Sequence, residues 1–260
     1  MSRNENPSGT GLSRQAAKSP FVRPSLLVPL VALVPFVPSD LPRPYAFPLA
    51  PLCAVHYIRG MRITGGKAAR LILKVPKGLA VRPTPDLVKQ AVFNSLGGRV
   101  AGARVLELFA GTGALSLECL SRGATSAVCV ELSARHAAIL RDNVRAAGFA
   151  ADALQVRIQD VFTVIGQLSA EAAHFDLVLA DPPYGEKNVG RRSTSFAQQL
   201  LDDPRLPGLL TAGGRLVLGH AKRDTLSVPE WWHEKKVLKH GDSLMRFLSP
   251  AGGTPSPEAS

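Results

Sequence analysis

Between Ala103 and Ala221 the chain alternates short apolar runs with segments of helical period, and this rhythm limits the possible folds more than any other feature. "ARVLELFA", "SAVCVEL", "ALQVRIQD", "FDLVLADPPY" and "GGRLVLGHA" read as strands. Their apolar residues run on rather than alternate with polar ones, as strands covered on both faces do. Helical segments separate them: "GALSLECLSRG" closed by Gly123, "SARHAAILRDNVRAAG" capped by Ser133 and closed by Gly148, residues 161–170, and "TSFAQQLL". A strand–helix alternation of this kind predicts an α/β fold with a mostly parallel sheet and helices on both faces. "WHEKKVLKHGDSLMRFLS" breaks the rhythm and reads as two strands joined at His240-Gly241-Asp242, a C-terminal antiparallel hairpin at the sheet edge.

Ahead of this region, residues 61–98 predict a small hairpin and helix extension. "MRITGGKAARLILKVP" reads as two short strands around Gly65-Gly66. "RPTPDLVKQAVFNSLGG" reads as a helix capped by Thr84, with Pro85 in its first turn and Gly97-Gly98 at its end. Leu87, Val88, Ala91, Val92 and Leu96 are expected to form its buried face. Four regions follow: a Pro-rich extension over 1–60, the extension over 61–98, the main domain over 99–249 and a disordered tail over 250–260.

Residues 1–60 hold many of the prolines and show neither helical nor strand periodicity. The apolar stretch Leu26 to Val37 is too short to span a bilayer and is interrupted by Pro29 and Pro35. Arg14, Lys18 and Arg23 ahead of it give it a likeness to a signal peptide, and its poverty in acids a likeness to a transit peptide. The favoured reading is an upstream in-frame extension, with translation beginning at Met61 and the segment outside the fold.

The formal charge of +11 points to a polyanionic partner, nucleic acid or an anionic membrane surface. Residues 61–260 alone carry 25 Lys and Arg against 18 Asp and Glu, so the bias belongs to the folded part as well. Cys53, Cys119 and Cys129 form no C-x-x-C pair and no disulfide framework, which suits a reducing compartment. The six histidines do not cluster with other ligands at metal-binding spacing, and no metal site is expected.

In open α/β sheets ligands bind beyond the carboxyl ends of the strands. After the first strand comes "ELFAGTGALS", with Glu107, Phe109, Ala110, Gly111 and Gly113 at the strand-to-helix turn. Glycines there let a ligand approach the backbone with no Cβ in the way. Glu131, eighteen residues beyond Gly113, follows the second strand and is placed to accept from both ribose hydroxyls of a nucleoside. Asp160 follows the third strand, and Asp181-Pro182-Pro183-Tyr184 the fourth. Singly, each acid reads equally as a helix cap or a solvated loop residue.

Together they favour a ligand with one nucleoside and no phosphate. Ser116 stands where a dinucleotide fingerprint would place its third glycine. S-adenosylmethionine fits: its amino-acid tail on the glycine loop, its ribose on Glu131, its adenine amine at Asp160. The two prolines then acquire a purpose. Asp181 and the Pro182 carbonyl are acceptors for the N–H bonds of a ring-bound amine, and Tyr184 is a stacking face for the ring that carries it.

The pairing of "LELFAGTGALSLE" with "DPPY" resembles the amino-methyltransferases that act on nucleic-acid bases. "MRITGGKAARLILKVPKGLAVRPTPDLVKQAVFNSL" and the ending "HGDSLMRFL" narrow the resemblance to the bacterial 16S rRNA (guanine-966-N2)-methyltransferase family, over residues 61–249. The resemblance implies a Rossmann-like class I methyltransferase fold, S-adenosylmethionine as cofactor, and 16S ribosomal RNA or an assembling small subunit as partner. It further implies a natural start at Met61, and a cytoplasmic, monomeric enzyme without membrane contact is expected. Arg62, Lys67, Arg70, Lys74, Lys77 and Arg82 near the hairpin, with Lys187, Arg191 and Arg192 after DPPY, are expected to meet RNA phosphates. Three positions depart from the family pattern: Glu107 for a common Asp, Gln90 for a Glu, and Gly219 for a Glu after the fifth strand. The rival readings are an N6-adenine methyltransferase acting on DNA or RNA, a nicotinamide-dependent oxidoreductase, and a nucleic-acid-binding module with a decayed cofactor site.

Overall fold

The computed structural model describes residues 61–76, 85–150, 152–188 and 191–252, all within one unit, His56–Ser260. The expectations for residues 1–60, for the Thr84 cap and for the end of the tail lie outside the described residues. Seven strands form one sheet: β1 (Arg104–Leu108), β2 (Ser126–Val130), β3 (Leu154–Arg157), β4 (Phe175–Ala180), β5 (Leu210–Ala221), β6 (Trp232–His240) and β7 (Ser243–Pro250). Their order is β3-β2-β1-β4-β5-β7-β6, parallel from β3 to β5 and antiparallel through β7 and β6. The expected parallel sheet and terminal hairpin are both present, and this is the Rossmann-like class I methyltransferase architecture.

Period-two alternation sorts the strand residues between two cores. Val105, Leu177, Leu179 and Val217 face α1 (Asp86–Leu96), α2 (Ala114–Ser121) and α3 (Ala134–Ala146). Leu106, Leu108, Val178, Leu216 and Leu218 face α4 (Val161–Ala170) and α5 (Phe196–Asp202). Each fully buried leucine among them contributes about 1.5–3 kcal/mol relative to exposure. No helix among the described residues is long and apolar enough to cross a membrane.

Two local expectations need correction. In α1 the buried face is Val88, Lys89, Val92, Phe93 and Leu96, while Leu87 and Ala91 are exposed or only partly covered. The helix turns a lysine inward because its Nζ donates to the Arg62 carbonyl and lies 3.4 Å from Asp86 Oδ1, although burial lowers its pKa. The N-terminal hairpin, for its part, forms one isolated antiparallel bridge, Arg62 to Ile72, with backbone hydrogen bonds from the Ile63, Arg70 and Leu73 N–H groups to the Leu71, Ile63 and Met61 carbonyls, rather than two regular strands. Polar anchors on α2 add to this short pairing. Glu118, fully buried, accepts from the Thr64 N–H at 2.7 Å, the Thr64 hydroxyl at 2.8 Å and Arg122 Nε at 2.9 Å. Ser121 Oγ accepts from the Ala68 N–H at 2.9 Å.

Candidate active site

The parallel register brings the ends of four strands to one edge. Leu108 lies beside Val130 on one side and Ala180 on the other, Val130 beside Arg157, and Ala180 beside Leu218. The sequence-predicted positions Phe109–Gly113, Glu131, Asp160 and Asp181–Tyr184 all follow these ends and so share that edge.

The first turn is sharply wound: Phe109, Gly111 and Gly113 all have positive φ, at 57°, 55° and 74°. Gly113 needs glycine twice over, since an added Cβ would also meet Leu140 Cγ at 2.8 Å. At Gly111 an added Cβ would meet nothing within 4 Å, so the loop presents bare backbone to open space there. That is the cradle a ligand's amino-acid portion needs, and the residues present fit the expected cofactor at this point.

Glu107 lies beneath the loop. Its oxygens accept from the Leu115 N–H at 3.3 Å and the Ser116 N–H at 2.9 Å, and Cys129 Sγ lies 3.6 Å away. Gly113 offers α2 no side-chain cap, and Glu107 fills that function from six residues upstream. Burial raises its pKa from 4.5 to about 7, against hydrogen bonds from Ser116, Leu115 and Cys129 that pull the other way. Glu107 thus acts on the shape of the loop from below. Ala110 ties the loop to the next strand through its N–H, which donates to the Val130 carbonyl at 2.9 Å.

Glu131 is nearly buried and staples two loops. One oxygen accepts from the Gly111 N–H at 2.8 Å; the other accepts from the Ser133 N–H at 2.8 Å and lies 3.4 Å from His136 Nδ1. A carboxylate offers about four lone-pair directions, so this stapling leaves capacity for a ribose hydroxyl. Leu132, next in the chain, is 70% exposed and was missed by sequence reasoning. An apolar residue caught between a strand end and a helix cap was the available signal. Asp160 is exposed and caps α4, with Oδ1 accepting from the Thr163 N–H at 3.0 Å.

After β4, Pro182 is buried and Tyr184 exposed, its hydroxyl 2.7 Å from Ser243 Oγ. A cavity of about 280 Å³ opens between Tyr184 and Phe196, with Ser193, Ser195, Arg191 and Gln199 among its walls. Phe196 was not singled out from sequence. Its ring is 41% exposed and rests on Phe109 at 5.4 Å and Phe162 at 6.4 Å between centroids. It therefore touches residues that follow both β1 and β3. The loop after DPPY docks on the turn that follows β5. Asn188 Nδ2 donates to the Thr225 carbonyl at 2.9 Å, the Thr225 N–H donates to Asn188 Oδ1 at 2.8 Å, and Arg223 Nε donates to the Gly185 carbonyl at 3.4 Å. Beneath that loop Asp224 is buried with no hydrogen bond to either carboxylate oxygen among the described residues.

The expected phosphate-binding cations scatter in their surroundings. Arg62 pairs with Asp86 at 2.6 Å, Lys74 with Asp142 at 3.0 Å, and Arg192 with Asp202. Lys67 Nζ lies 4.8 Å from the centre of the Phe149 ring. Arg70, Lys187 and Arg191 are exposed or half-exposed, while Lys77 and Arg82 lie outside the described residues. Exposed ion pairs are weak enough for a phosphate to displace the carboxylate. Arg223, at the rim of a second cavity with Tyr184 and Asp242, adds a cation that sequence reasoning did not mark.

Comparison with known proteins agrees with this architecture. The chain is 32% identical over 129 residues to the putative rRNA methyltransferase YlbH of Bacillus subtilis, covering 50% of this chain and 70% of that protein. It is 33% identical over 124 residues to the ribosomal RNA small subunit methyltransferase D of Escherichia coli, covering 48% of this chain and 60% of the relative. Among solved structures, a hypothetical protein of Thermus thermophilus superimposes with a TM-score of 0.60 at 30% identity, covering 72% of this chain and 98% of that one. The putative methyltransferase yhhF of Escherichia coli superimposes with a TM-score of 0.59 at 27% identity, covering 74% and 98%. Residues 61–249 match the family described as conserved hypothetical protein 95. With that match spanning the hairpin, the glycine loop, DPPY and the terminal strands, the chain belongs to the conserved hypothetical protein 95 family.

Proposed function

We propose that the protein transfers a methyl group from S-adenosylmethionine to the exocyclic N2 amine of a guanine in small-subunit ribosomal RNA, at guanine 966, acting as a cytoplasmic monomer. The observation that carries this reading is the position of Asp181-Pro182-Pro183-Tyr184. It stands at the end of β4, directly beside the β1 glycine loop, and its Pro183 and Tyr184 line a cavity with aromatic and cationic walls. The similarity to rRNA methyltransferases points to the substrate class.

Residues Gly111 and Gly113 would hold the cofactor's amino-acid portion, Glu131 its ribose, and Leu132 and Asp160 its adenine. The bound cofactor supplies an electrophilic methyl group on its sulfonium. The chain's own work is to present the amine. A guanine N2 lone pair is delocalised into the ring, so acceptors on its N–H bonds orient it for in-line attack. Asp181 and the Pro182 carbonyl are those acceptors, and Pro182 and Pro183 stiffen the carbonyl's direction. Asp181 then receives or relays the proton that the methylated amine releases. Tyr184 and Phe196 offer ring faces on the walls of one cavity, suited to a purine taken out of its helical stack. Arg191 and Lys187 on the wall of that cavity, and Arg223 on the second one, would neutralise the flanking phosphates of such a nucleotide.

The test is methyl transfer from labelled cofactor to small-subunit particles, to naked 16S rRNA and to DNA, with mass mapping of the modified nucleoside. The expected product is N2-methylguanosine at one position of the rRNA. N6-methyladenosine, in RNA or DNA, would replace this reading with the adenine one.

A further inference from the structure

We propose that Gly219 is a positioning residue for Asp181, its missing side chain forming the seat into which that carboxylate folds. The inference rests on the role assigned to Asp181 above.

The register places the two side by side. Ala180 pairs with Leu218, and Gly219 pairs with Met245 on β7, so Asp181, Gly219 and Met245 follow one another across three strands. A Cβ added to Gly219 would lie closer to Asp181 Oδ1 than any real Cβ lies to a neighbour, 3.1 Å from Asp181 Cγ and 3.2 Å from Met245 Sδ. The Asp181 Oδ1 atom is buried in this seat.

Backbone conformation gives no other reason for the glycine. Gly219 is absent from the glycines with positive φ, so any L-residue could adopt its dihedrals. Glycine inside a strand weakens it and leaves nothing to pack, so close approach by another group is its usual explanation. Here that group is the carboxylate at the end of the neighbouring strand. The resemblance noted from sequence leads one to look for glutamate at 219, which could not occupy this space with Asp181 where it is.

A methyl group at 219 has two neighbours to displace. Met245 is buried in the core, whereas Asp181 is only half-buried past the end of β4, so the carboxylate is the neighbour that gives way. The fold therefore survives and the carboxylate moves by about 1 Å, a misplacement that costs on the order of 10²-fold in rate.

The experiment is a double-variant cycle of Gly219→Ala and Asp181→Ala on the full chain. It uses single-turnover methyl transfer to small-subunit particles, cofactor affinity by calorimetry and thermal unfolding. Gly219→Ala is expected to lower the rate about 10²-fold with cofactor affinity changed less than about twofold, and to add less than about twofold once Asp181 is already alanine. Wild-type turnover in Gly219→Ala, with Asp181→Ala slow, overturns the inference and leaves the proposed function standing. An equal loss in both backgrounds overturns it too, since the glycine then acts on something else. Wild-type turnover in Asp181→Ala overturns the role of Asp181 itself, and the inference with it. Should Gly219→Ala fail to fold, the double variant decides: folding restored by removing the carboxylate supports the seat, and a double variant that also fails to fold refutes it.

Discussion

Replacing Glu107 by glutamine should make the protein less sensitive to pH between about 5 and 8, because burial lifts this carboxyl to about 7 in the folded chain. The unfolded chain titrates near the ordinary value of 4.5. Between the two values the folded state binds the proton and the unfolded state releases it. Stability from this group is therefore full below the unfolded value and is lost as pH rises through the folded one. Each unit of difference corresponds to about 1.4 kcal/mol, so the loss across the window is on the order of 3 kcal/mol. Glutamine matches the protonated acid in size and keeps a carbonyl oxygen for the Leu115 or Ser116 N–H, without the titration. Unfolding in urea at pH 5, 6, 7 and 8, for both proteins, isolates the group because other titrations cancel in the difference. The two should agree within about 1 kcal/mol at pH 5, and the glutamine variant should lead by roughly 2–3 kcal/mol at pH 8. A difference that stays constant across the series would refute the claim that burial dominates at Glu107. A lead for the wild type that grows with pH would show that the α2 N–H groups more than compensate for burial.

Asp181→Ala should retain cofactor and lose about 10²–10⁴ in single-turnover rate; Asp181→Asn keeps substantial activity if positioning dominates and falls to the alanine level if proton acceptance does. Glu131→Ala removes the staple between Gly111 and Ser133 as well as the proposed ribose acceptor, and should weaken cofactor binding by about 1.5–3 kcal/mol in calorimetry. Asp224→Asn keeps the size of a buried side chain whose carboxylate oxygens have no hydrogen bond among the described residues, and should raise the unfolding free energy by on the order of 2 kcal/mol; a lower value would mean that a cation or water serves the carboxylate in solution. Rising salt should weaken rRNA binding steeply, and Arg191→Ala should reduce the slope of log K against log salt by about 1.

The parallel sheet was legible because its strands are continuous apolar runs bounded by glycines and caps: Gly123, Ser133 and Gly148 all end or begin helices where their chemistry suggested. The hairpin at His240-Gly241-Asp242 was legible for the same reason, with Gly241 at positive φ between β6 and β7. The strand-end acids could be found, but not how they are used. Glu107 binds backbone N–H groups eight and nine residues away, and Glu131 binds one twenty residues away besides its neighbour Ser133, and nothing local announces the distant partners. Lys89 and Glu118 were illegible as core residues because a charge looks solvent-seeking until its partners are known, and Arg62 and Thr64 lie 27 and 54 residues off. Leu87 was assigned to the core on apolarity, whereas the packing selected the face carrying Val88, Val92 and Phe93. Phe196 escaped because an aromatic at the start of a helix reads as ordinary packing until Phe109 and Phe162 are seen beside it.

The sheet has two borders, β3 and β6, and each presents main-chain donors and acceptors that a second copy of the protein could extend. β3 offers only four residues. β6 is nine residues long and would be the more dangerous template, but it is irregular between Glu234 and Lys236, and His233, Glu234, Lys235, Lys236 and Lys239 all stand exposed along it. The same lysines that add to the basic surface thus keep this border from zipping onto its neighbours. At high concentration, neutralising Lys235, Lys236 and Lys239 should let particles grow edge to edge before any loss of fold.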